Sequence, residues 1–142
     1  MRHALTAALI AAVCSFGASE AVAASDQAAA ARGADWLLSA RIGEGGSAAD
    51  TVVALRAARR LTPAEARRRA AALRSGAEAY ATTAGATAKT ILGLVAAGQG
   101  NPRCAGDIDL LNRLNGFASA GRYGRTAWDQ GLAMIAVRSL GM

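Results

Sequence analysis

The chain is poor in the side chains from which most catalytic and metal sites are built. Its 142 residues include one histidine, two cysteines and only 4% aromatic residues. The histidine, His3, lies in an N-terminal segment that we expect to be removed, so the mature chain has none. Zinc sites are usually built from several nitrogen or sulfur ligands, and Ser-His-Asp and Cys-His catalysis both need histidine. The composition therefore argues against zinc and against histidine-dependent catalysis, and we expect no cofactor.

The first 23 residues have the pattern of a secretory signal peptide. Arg2 and His3 form a short basic region, Ala4 to Ala18 is apolar, and Ala21 to Ala23 has the small-x-small pattern of a cleavage site. The apolar run is too short to span a bilayer comfortably, and later runs are interrupted by charges or glycines. The sequence predicts a secreted or extracytoplasmic chain without a membrane span, with a signal peptide over 1–23 and one domain over 24–142.

Cysteine use adds one restriction. Cleavage would remove Cys14, so Cys104 would stand alone and no disulfide could form within the mature chain. We expect this thiol to be buried or incidental, and the alternative is a disulfide between two molecules. In another interpretation Cys14 is a lipidated residue, but Ala11 stands where a lipobox usually has leucine.

Positive charge is carried almost wholly by arginine. The chain has 16 basic and 10 acidic residues, a net charge of +6, and Lys89 is its only lysine. Net positive charge favours association with anionic surfaces. The runs Arg59-Arg60 and Arg67 to Arg69 suggest nucleic acid, but the interleaved aromatic residues that stack on bases are missing. We expect these arginines to form solvated helix faces and expect no nucleic-acid partner.

Capping patterns and apolar periodicity predict six helices. Three starts have the form of a capping box, at Ser47, at Thr62 and at Thr126, each with an acid three residues later. Pro63 takes the first helical position, where its missing donor is harmless. The predicted helices run from Ala28 to Ala40 with Ser25 as cap, from Ser47 to Arg60, from Pro63 to Tyr80, from Ala86 to Ala97, from Asp107 to Ala118, and from Thr126 to Leu140.

Helical spacing also predicts which side chains are buried. The expected core residues are Trp36, Leu37 and Ala40; Val52 and Leu55, with Val53, Ala57 and Arg59 beside them; Ala66, Ala70, Leu73 and Ala77; Ile91, Leu92, Leu94 and Val95; Ile108, Leu111, Leu114 and Ala118; and Trp128, Leu132, Ile135, Ala136 and Leu140.

An internal repeat decides the predicted architecture. The helix starts at Ser47, Gly85 and Thr126 are about 40 residues apart, and each is followed by a related apolar pattern. Two helices in a unit of that length indicate stacked hairpins, in which neighbours supply the burial that one hairpin lacks. The predicted fold is all-α, with three stacked helical hairpins. The first, third and fifth helices form an outer layer and the others an inner one, with Ala84 to Pro102 at the centre.

The order of these features resembles the prenyltransferase and squalene-oxidase repeat family. An outer helix leads to a glycine-rich turn, a hydroxyl or aromatic residue, an acid or amide, and an Ala/Leu-rich inner helix. The segments that carry the resemblance are Gly45 to Thr51, Ala84 to Gly98, Asp107 to Leu114 and Gly121 to Gln130. Within the family, these segments resemble secreted bacterial repeat proteins of the terpenoid-cyclase/prenyltransferase toroid class. Because toroids of the family close with about twice as many hairpins, the resemblance implies a partial α/α toroid.

The catalytic motifs of the family are not reproduced. Family prenyltransferases hold zinc with Asp, Cys and His, a set that the mature chain does not contain. Family cyclases of the protonating type use an acidic motif with a central Asp. Asp107 and Asp109 have the right spacing, but the following acid is absent. A negative first turn that complements the helix dipole is the simpler interpretation.

Our first hypothesis is a non-catalytic binding or interaction module. The inner-helix starts would line one mouth of the arc, and the family includes exported cobalamin carriers, so the resemblance implies a bulky apolar or macrocyclic ligand. The alternative is that the acids there are only caps and the aromatics only core. The predicted ligand-binding residues, here called the polar rim, are Asp50, Lys89, Tyr123, Trp128, Asp129 and Gln130.

The second hypothesis is a terpenoid cyclase-like enzyme that uses Asp107, Asp109 or Asp129 as its acid. It needs a deep apolar cavity that raises a carboxyl pKa. A third is a truncated toroid remnant without independent activity. Half a ring would expose an apolar inner edge, which monomers do not usually tolerate. The expected partners are therefore a second copy of the chain, as a homodimer, or another chain that completes the ring.

Overall fold

The computed structural model describes residues 26–40 and 45–142. The predicted signal segment with its cleavage site and the predicted Ser25 cap lie outside the described residues. Within the described part the chain is mostly helical, with six helices and two short antiparallel strand pairs. The prediction of a predominantly helical fold is confirmed. None of the described helices combines the length and the apolar character needed to cross a membrane.

The elements follow one another in the order helix, helix, helix, helix, strand pair, helix, strand pair, helix. The helices are α1 (26–39), α2 (Gly46–Ala57), α3 (Pro63–Tyr80), α4 (Ala84–Ala97), α5 (Leu110–Gly116) and α6 (Ala127–Ser139). The strands are β1 (Cys104–Ala105), β2 (Ile108–Asp109), β3 (Ala118–Ser119) and β4 (Arg122–Tyr123). Cys104 pairs with Asp109 in the first ribbon, and Ala118 pairs with Tyr123 in the second.

Helix α4 lies at the centre of the molecule. It packs between α2 and α6, and α3 and α5 also lie against it. The side chains of Ile91 and Leu94 are fully buried. The helix begins after Thr83, whose hydroxyl accepts from the Ala86 N–H, and it ends at Gly98 in the left-handed conformation. With only one charged residue in the helix, burial on most sides has little electrostatic cost.

Glycines of α4 bring the inner helices close together. A Cβ on Gly93 would lie 3.1 Å from the Cα of Ala49 on α2, and a Cβ on Gly85 would overlap the carboxylate of Asp129 on α6. The two contacts join residues with the same separation in sequence. This equal separation is compatible with the predicted helical repeat.

The local signals predicted at α3 are largely confirmed. Pro63 is the first residue of the helix, and the Thr62 hydroxyl accepts from the Glu65 N–H. The Glu65 carboxylate accepts hydrogen bonds from Arg68 and Arg69 instead of closing a capping box. All four residues of the predicted stripe are buried, namely Ala66, Ala70, Leu73 and Ala77.

The predicted starts of the second and fifth helices are wrong. The N-cap of α2 is Gly45, with φ 71° and no side-chain cap, so Ser47 does not form the predicted box. Helix α5 begins at Leu110 after an Asp109 cap, and Asp107 lies in the turn between β1 and β2. The fifth helix also ends at Gly116 because the chain then enters the β3–β4 hairpin. Both residues of that hairpin's turn have positive φ, as tight hairpins require.

Large apolar side chains of α1 and α6 that were predicted to be buried lie at the surface. Trp36 is 65% exposed, Trp128 67% and Ile135 57%. Helix α6 buries Ala136, as predicted, and also Ala133, because small side chains let it approach α4 closely. Of the other expected core residues, Val53, Ala57, Arg59 and Ala118 are exposed, and Leu37, Ala40, Leu92, Val95, Ile108, Leu111, Leu132 and Leu140 are half-buried.

Helix α1 departs from the predicted first hairpin. An antiparallel hairpin would bring the end of α1 to the start of α2. Instead, Arg60, just beyond the C-terminal end of α2, forms an ion pair with Asp35 of α1. Arg69 of α3 donates a hydrogen bond of 3.4 Å to the carbonyl oxygen of Leu37. The C-terminal half of α1 is thus held beside the C-terminal end of α2.

Candidate binding surfaces

The polar rim begins with an ion pair between α2 and α4. The Nζ atom of Lys89 on α4 lies 2.6 Å from Oδ2 of Asp50 on α2. The Asp50 side chain is 62% exposed and that of Lys89 is 21% exposed. A pair this open to solvent contributes at most about 1 kcal/mol. It joins α2 to α4 only weakly and leaves the Asp50 carboxylate open to further polar contacts.

Asp129 of the rim caps α6. The Thr126 hydroxyl accepts from the Asp129 N–H at 3.0 Å, and the Asp129 carboxylate accepts from the Thr126 N–H at 3.3 Å. This reciprocal pair confirms the capping box predicted from the sequence. The other carboxylate oxygen of Asp129 lies against Gly85 at the start of α4. The Asp129 carboxylate is thus engaged within the fold.

Gln130 and Tyr123 join the second ribbon to the helices around it. The Gln130 Oε1 accepts from the Tyr123 N–H at 2.7 Å, and the Tyr123 hydroxyl donates to Oδ1 of Asn115 at 3.1 Å. A cavity of about 260 Å³ lies beside them. It is lined by Arg122, Tyr123, Gly124, Arg125, Thr126, Ala127 and Gln130.

The structure therefore divides the rim into two groups. Asp50 and Lys89 form one, and Tyr123, Asp129 and Gln130 form the other, with Trp128 exposed beside it. Asp129 accepts a hydrogen bond from the Thr126 N–H, and Gln130 accepts one from the Tyr123 N–H. The alternative that these side chains only stabilise the local structure therefore accounts for both. A ligand-binding role for the six residues stays a prediction.

Asp107 and Asp109, two of the three acids considered for catalysis, lie at the surface. Asp109 caps α5 and accepts from the Asn112 N–H at 2.8 Å, and Asp107 is exposed in the turn before it. Glu65 has a perturbed pKa, but in the opposite sense from a general acid. Burial acts to raise its pKa, yet hydrogen bonds and charge from Arg68 and Arg69 outweigh burial and lower it. No group of three potential metal ligands occurs among residues 26–40 and 45–142.

An apolar groove between α1 and α2 was not predicted from the sequence. It has a volume of about 620 Å³, and no ionisable side chain lines it. Helix α2, which forms one wall of the groove, also has an exposed apolar residue, Val53. Its lining residues are Ala30, Gly33, Ala34, Trp36, Leu37, Ala54, Ala57 and Ala58. The sequence feature that indicates the groove is the repetition of small residues at helical spacing in both helices. Charged and aromatic residues, which usually mark a site, do not reveal it. We call this surface the α1–α2 groove.

A second apolar surface lies on α6. Trp128 and Ile135 are two helical turns apart and share one side, with Gly131 between them and Met134 next to them. Met134 is 59% exposed. This side is opposite the buried Ala133 and Ala136, which face the core. We call the set Trp128, Gly131, Met134 and Ile135 the α6 outer face.

Comparisons of the chain with protein-family models, with curated proteins and with solved structures return no match.

Proposed function

We propose that the chain is a non-catalytic binding module that holds apolar surfaces in the α1–α2 groove. The observation that carries this proposal is a groove of about 620 Å³ whose walls are alanine, glycine, leucine and tryptophan. Ligand sites in proteins commonly have volumes of about 300–1,000 Å³ and mostly apolar walls. Burial of apolar area contributes roughly 25 cal/mol per Å², so such walls favour binding without a specific polar group.

The arrangement of the acids supports binding over catalysis. A cyclase-like mechanism needs a carboxyl group whose pKa is raised inside an apolar cavity. The groove has no carboxylate in its lining. Asp109 and Asp129 both accept backbone hydrogen bonds at helix starts, so each carboxylate already has a structural role as a cap.

We also propose that the protein is exported and that its repeats are related to those of the prenyltransferase and squalene-oxidase family. Export is supported by the pattern of residues 1–23. The repeat relationship is supported by the sequence segments that resemble the family and by the similar contacts of α2 with α4 and of α4 with α6. On this proposal the three inner helices form part of an α/α toroid.

Titration of the purified chain with the neutral fluorescent probe 1-N-phenylnaphthylamine tests the groove. Ala54→Glu places a charge on the α2 wall, and Ala30→Glu places one on the α1 wall. Ala72→Glu is the matched control, because Ala72 is exposed on α3, away from the groove. We expect the first two changes to weaken probe binding about tenfold or more and the control to leave it unchanged. Equal binding by all four proteins, with unchanged helical circular dichroism, would overturn the proposal.

A further inference from the structure

We propose that the α1–α2 groove binds the α6 outer face of a second copy of this chain. The inference rests on the proposed function, since it names the apolar surface that the groove holds. Contacts of this kind are head-to-tail, so each copy offers one surface of each type. Two copies close a ring if the rotation allows it, and further copies extend a filament if it does not.

Complementary side-chain size is the first argument. The groove walls are mainly alanine and glycine, which leave space, whereas the α6 outer face presents the large side chains Trp128, Met134 and Ile135. Aromatic side chains that enter small-residue pockets are typical anchors of protein interfaces. Neither surface is covered by another element within the described part of the chain. The large side chains of the α6 outer face could therefore fill the space between the small residues of the groove.

Continuity with the inner layer is the second argument. Helix α4 packs between α2 and α6, so α2 and α6 are the end members of a row of three inner helices. The contacts Ala49–Gly93 and Gly85–Asp129 join neighbouring helices of the row at the same separation in sequence. A further step of the same kind beyond α6 requires a helix with a small-residue face. In a second copy, Ala54 and Ala57 of α2 provide such a face.

Charge at the two surfaces is the third argument. Exposed Arg125 and Arg138 stand at the two ends of α6, before and after its apolar residues. Asp50 lies near the start of α2. Asp35 of α1 is held near the end of α2 by its ion pair with Arg60, and the Asp35 side chain is 54% exposed. A carboxylate has lone pairs for more than one cation. If α6 lies parallel to the α2 of the second copy, Arg125 meets Asp50 and Arg138 meets Asp35.

Sedimentation velocity of the purified full chain over a wide concentration range tests the proposal. We expect the wild type to associate as its concentration rises. Ile135→Glu on the α6 outer face and Ala54→Glu in the groove should each weaken association about tenfold or more, and Ala72→Glu should not. Reducing agent is present throughout, so that a disulfide through Cys104 does not contribute.

Mixing the two defective variants distinguishes the head-to-tail contact from other modes. The Ile135→Glu chain keeps an intact groove, and the Ala54→Glu chain keeps an intact α6 outer face. An equimolar mixture should therefore regain association that neither variant shows alone. Association that depends on Ile135 but not on Ala54 would mean that two α6 faces meet each other, and it would overturn the proposal. A wild type that stays monomeric would also overturn it.

The probe titration separates this inference from the function on which it rests. If the probe binds in an Ala54-dependent manner and the chain stays monomeric, the groove is a binding site for another apolar surface and only the self-association fails. If the probe does not bind and the chain is monomeric, both proposals fail.

Discussion

The carboxylate of Asp129 on α6 lies against the backbone of Gly85 on α4. A Cβ added to Gly85 would overlap Oδ1 of Asp129 and approach its Cγ to 3.5 Å. The carboxylate is held in place by its hydrogen bonds to Thr126, so it has little freedom to move aside. The contact explains why the second residue of α4 is glycine although alanine is the better helix former.

Gly85→Ala should therefore destabilise the chain. We expect a loss of about 1–3 kcal/mol in the free energy of unfolding, measured by chemical denaturation, because overpacking of a tight contact costs that much. Gly76→Ala is the control, since Gly76 lies inside α3 and a Cβ there meets nothing within 4 Å. The control should gain about 0.5–1 kcal/mol. A gain at both positions would mean that Gly85 does not form this contact.

Gly93→Ala tests the other inner-helix contact. Its Cβ would lie 3.1 Å from both Cα and Cβ of Ala49, and 2.8 Å from a methyl carbon of Leu73. We expect a loss of about 1–3 kcal/mol, because α2 would have to move away from α4. Gly131→Ala in α6, where a Cβ meets nothing, should not destabilise the monomer at low protein concentration. Equal stabilities of the two variants would contradict the close packing of α2 on α4.

The two hydroxyl residues at helix starts should differ in importance. Thr126→Ala removes a capping box and should cost about 0.5–2 kcal/mol of stability. Ser47→Ala should change stability by less than about 0.5 kcal/mol, because Gly45 is the N-cap of α2 and no side chain caps it. Thermal unfolding followed by circular dichroism compares the two. A similar loss of stability in Ser47→Ala would show that Ser47 caps α2, as the sequence predicts, and would contradict Gly45 as the N-cap.

Stability should fall at acid pH partly through Glu65. Its pKa is lowered in the folded chain because the hydrogen bonds from Arg68 and Arg69 outweigh burial. The contribution of Glu65 is therefore fully present above the usual pKa of a glutamate, about 4.3. It is lost as pH falls through the lowered folded value.

We expect the stability difference between wild type and Glu65→Gln to narrow over that interval, as measured by urea unfolding at a series of pH values. A double-mutant cycle with Arg69→Gln isolates the coupling of the pair. A coupling that is constant with pH would show that the ion pair does not carry the effect.

The sequence was most informative where structure is set locally. The cap at Thr62, the proline after it and the stripe of small residues in α3 depend on neighbours three or four positions away, and the structure confirms them. The predicted end of the fourth helix at Ala97 is also confirmed, where Gly98 follows in the left-handed conformation. Two-residue strands such as β3 and β4 have too few residues to show a periodicity, so the fifth helix was predicted too long.

Burial at the ends of the helical row was predicted wrongly for another reason. Periodicity identifies an apolar face but not whether a partner covers it. The apolar residues Trp128 and Ile135 were therefore assigned to the core together with Ala136, whereas the structure buries only Ala133 and Ala136 of α6. In the polar rim, the capping box that Asp129 forms with Thr126 is a local feature, and its prediction is confirmed. The Asp50–Lys89 pair and the α1–α2 groove depend on how whole helices are placed, which no local pattern specifies.

The central claim is that the α1–α2 groove and the α6 outer face are two halves of one contact. The most direct test is the fraction of 1-N-phenylnaphthylamine bound per chain, measured at rising protein concentration for wild type and for Ile135→Glu. If the α6 face of another copy fills the groove, the wild type should release probe as its concentration rises, and the variant should keep it. The same concentration dependence in both proteins would contradict the account.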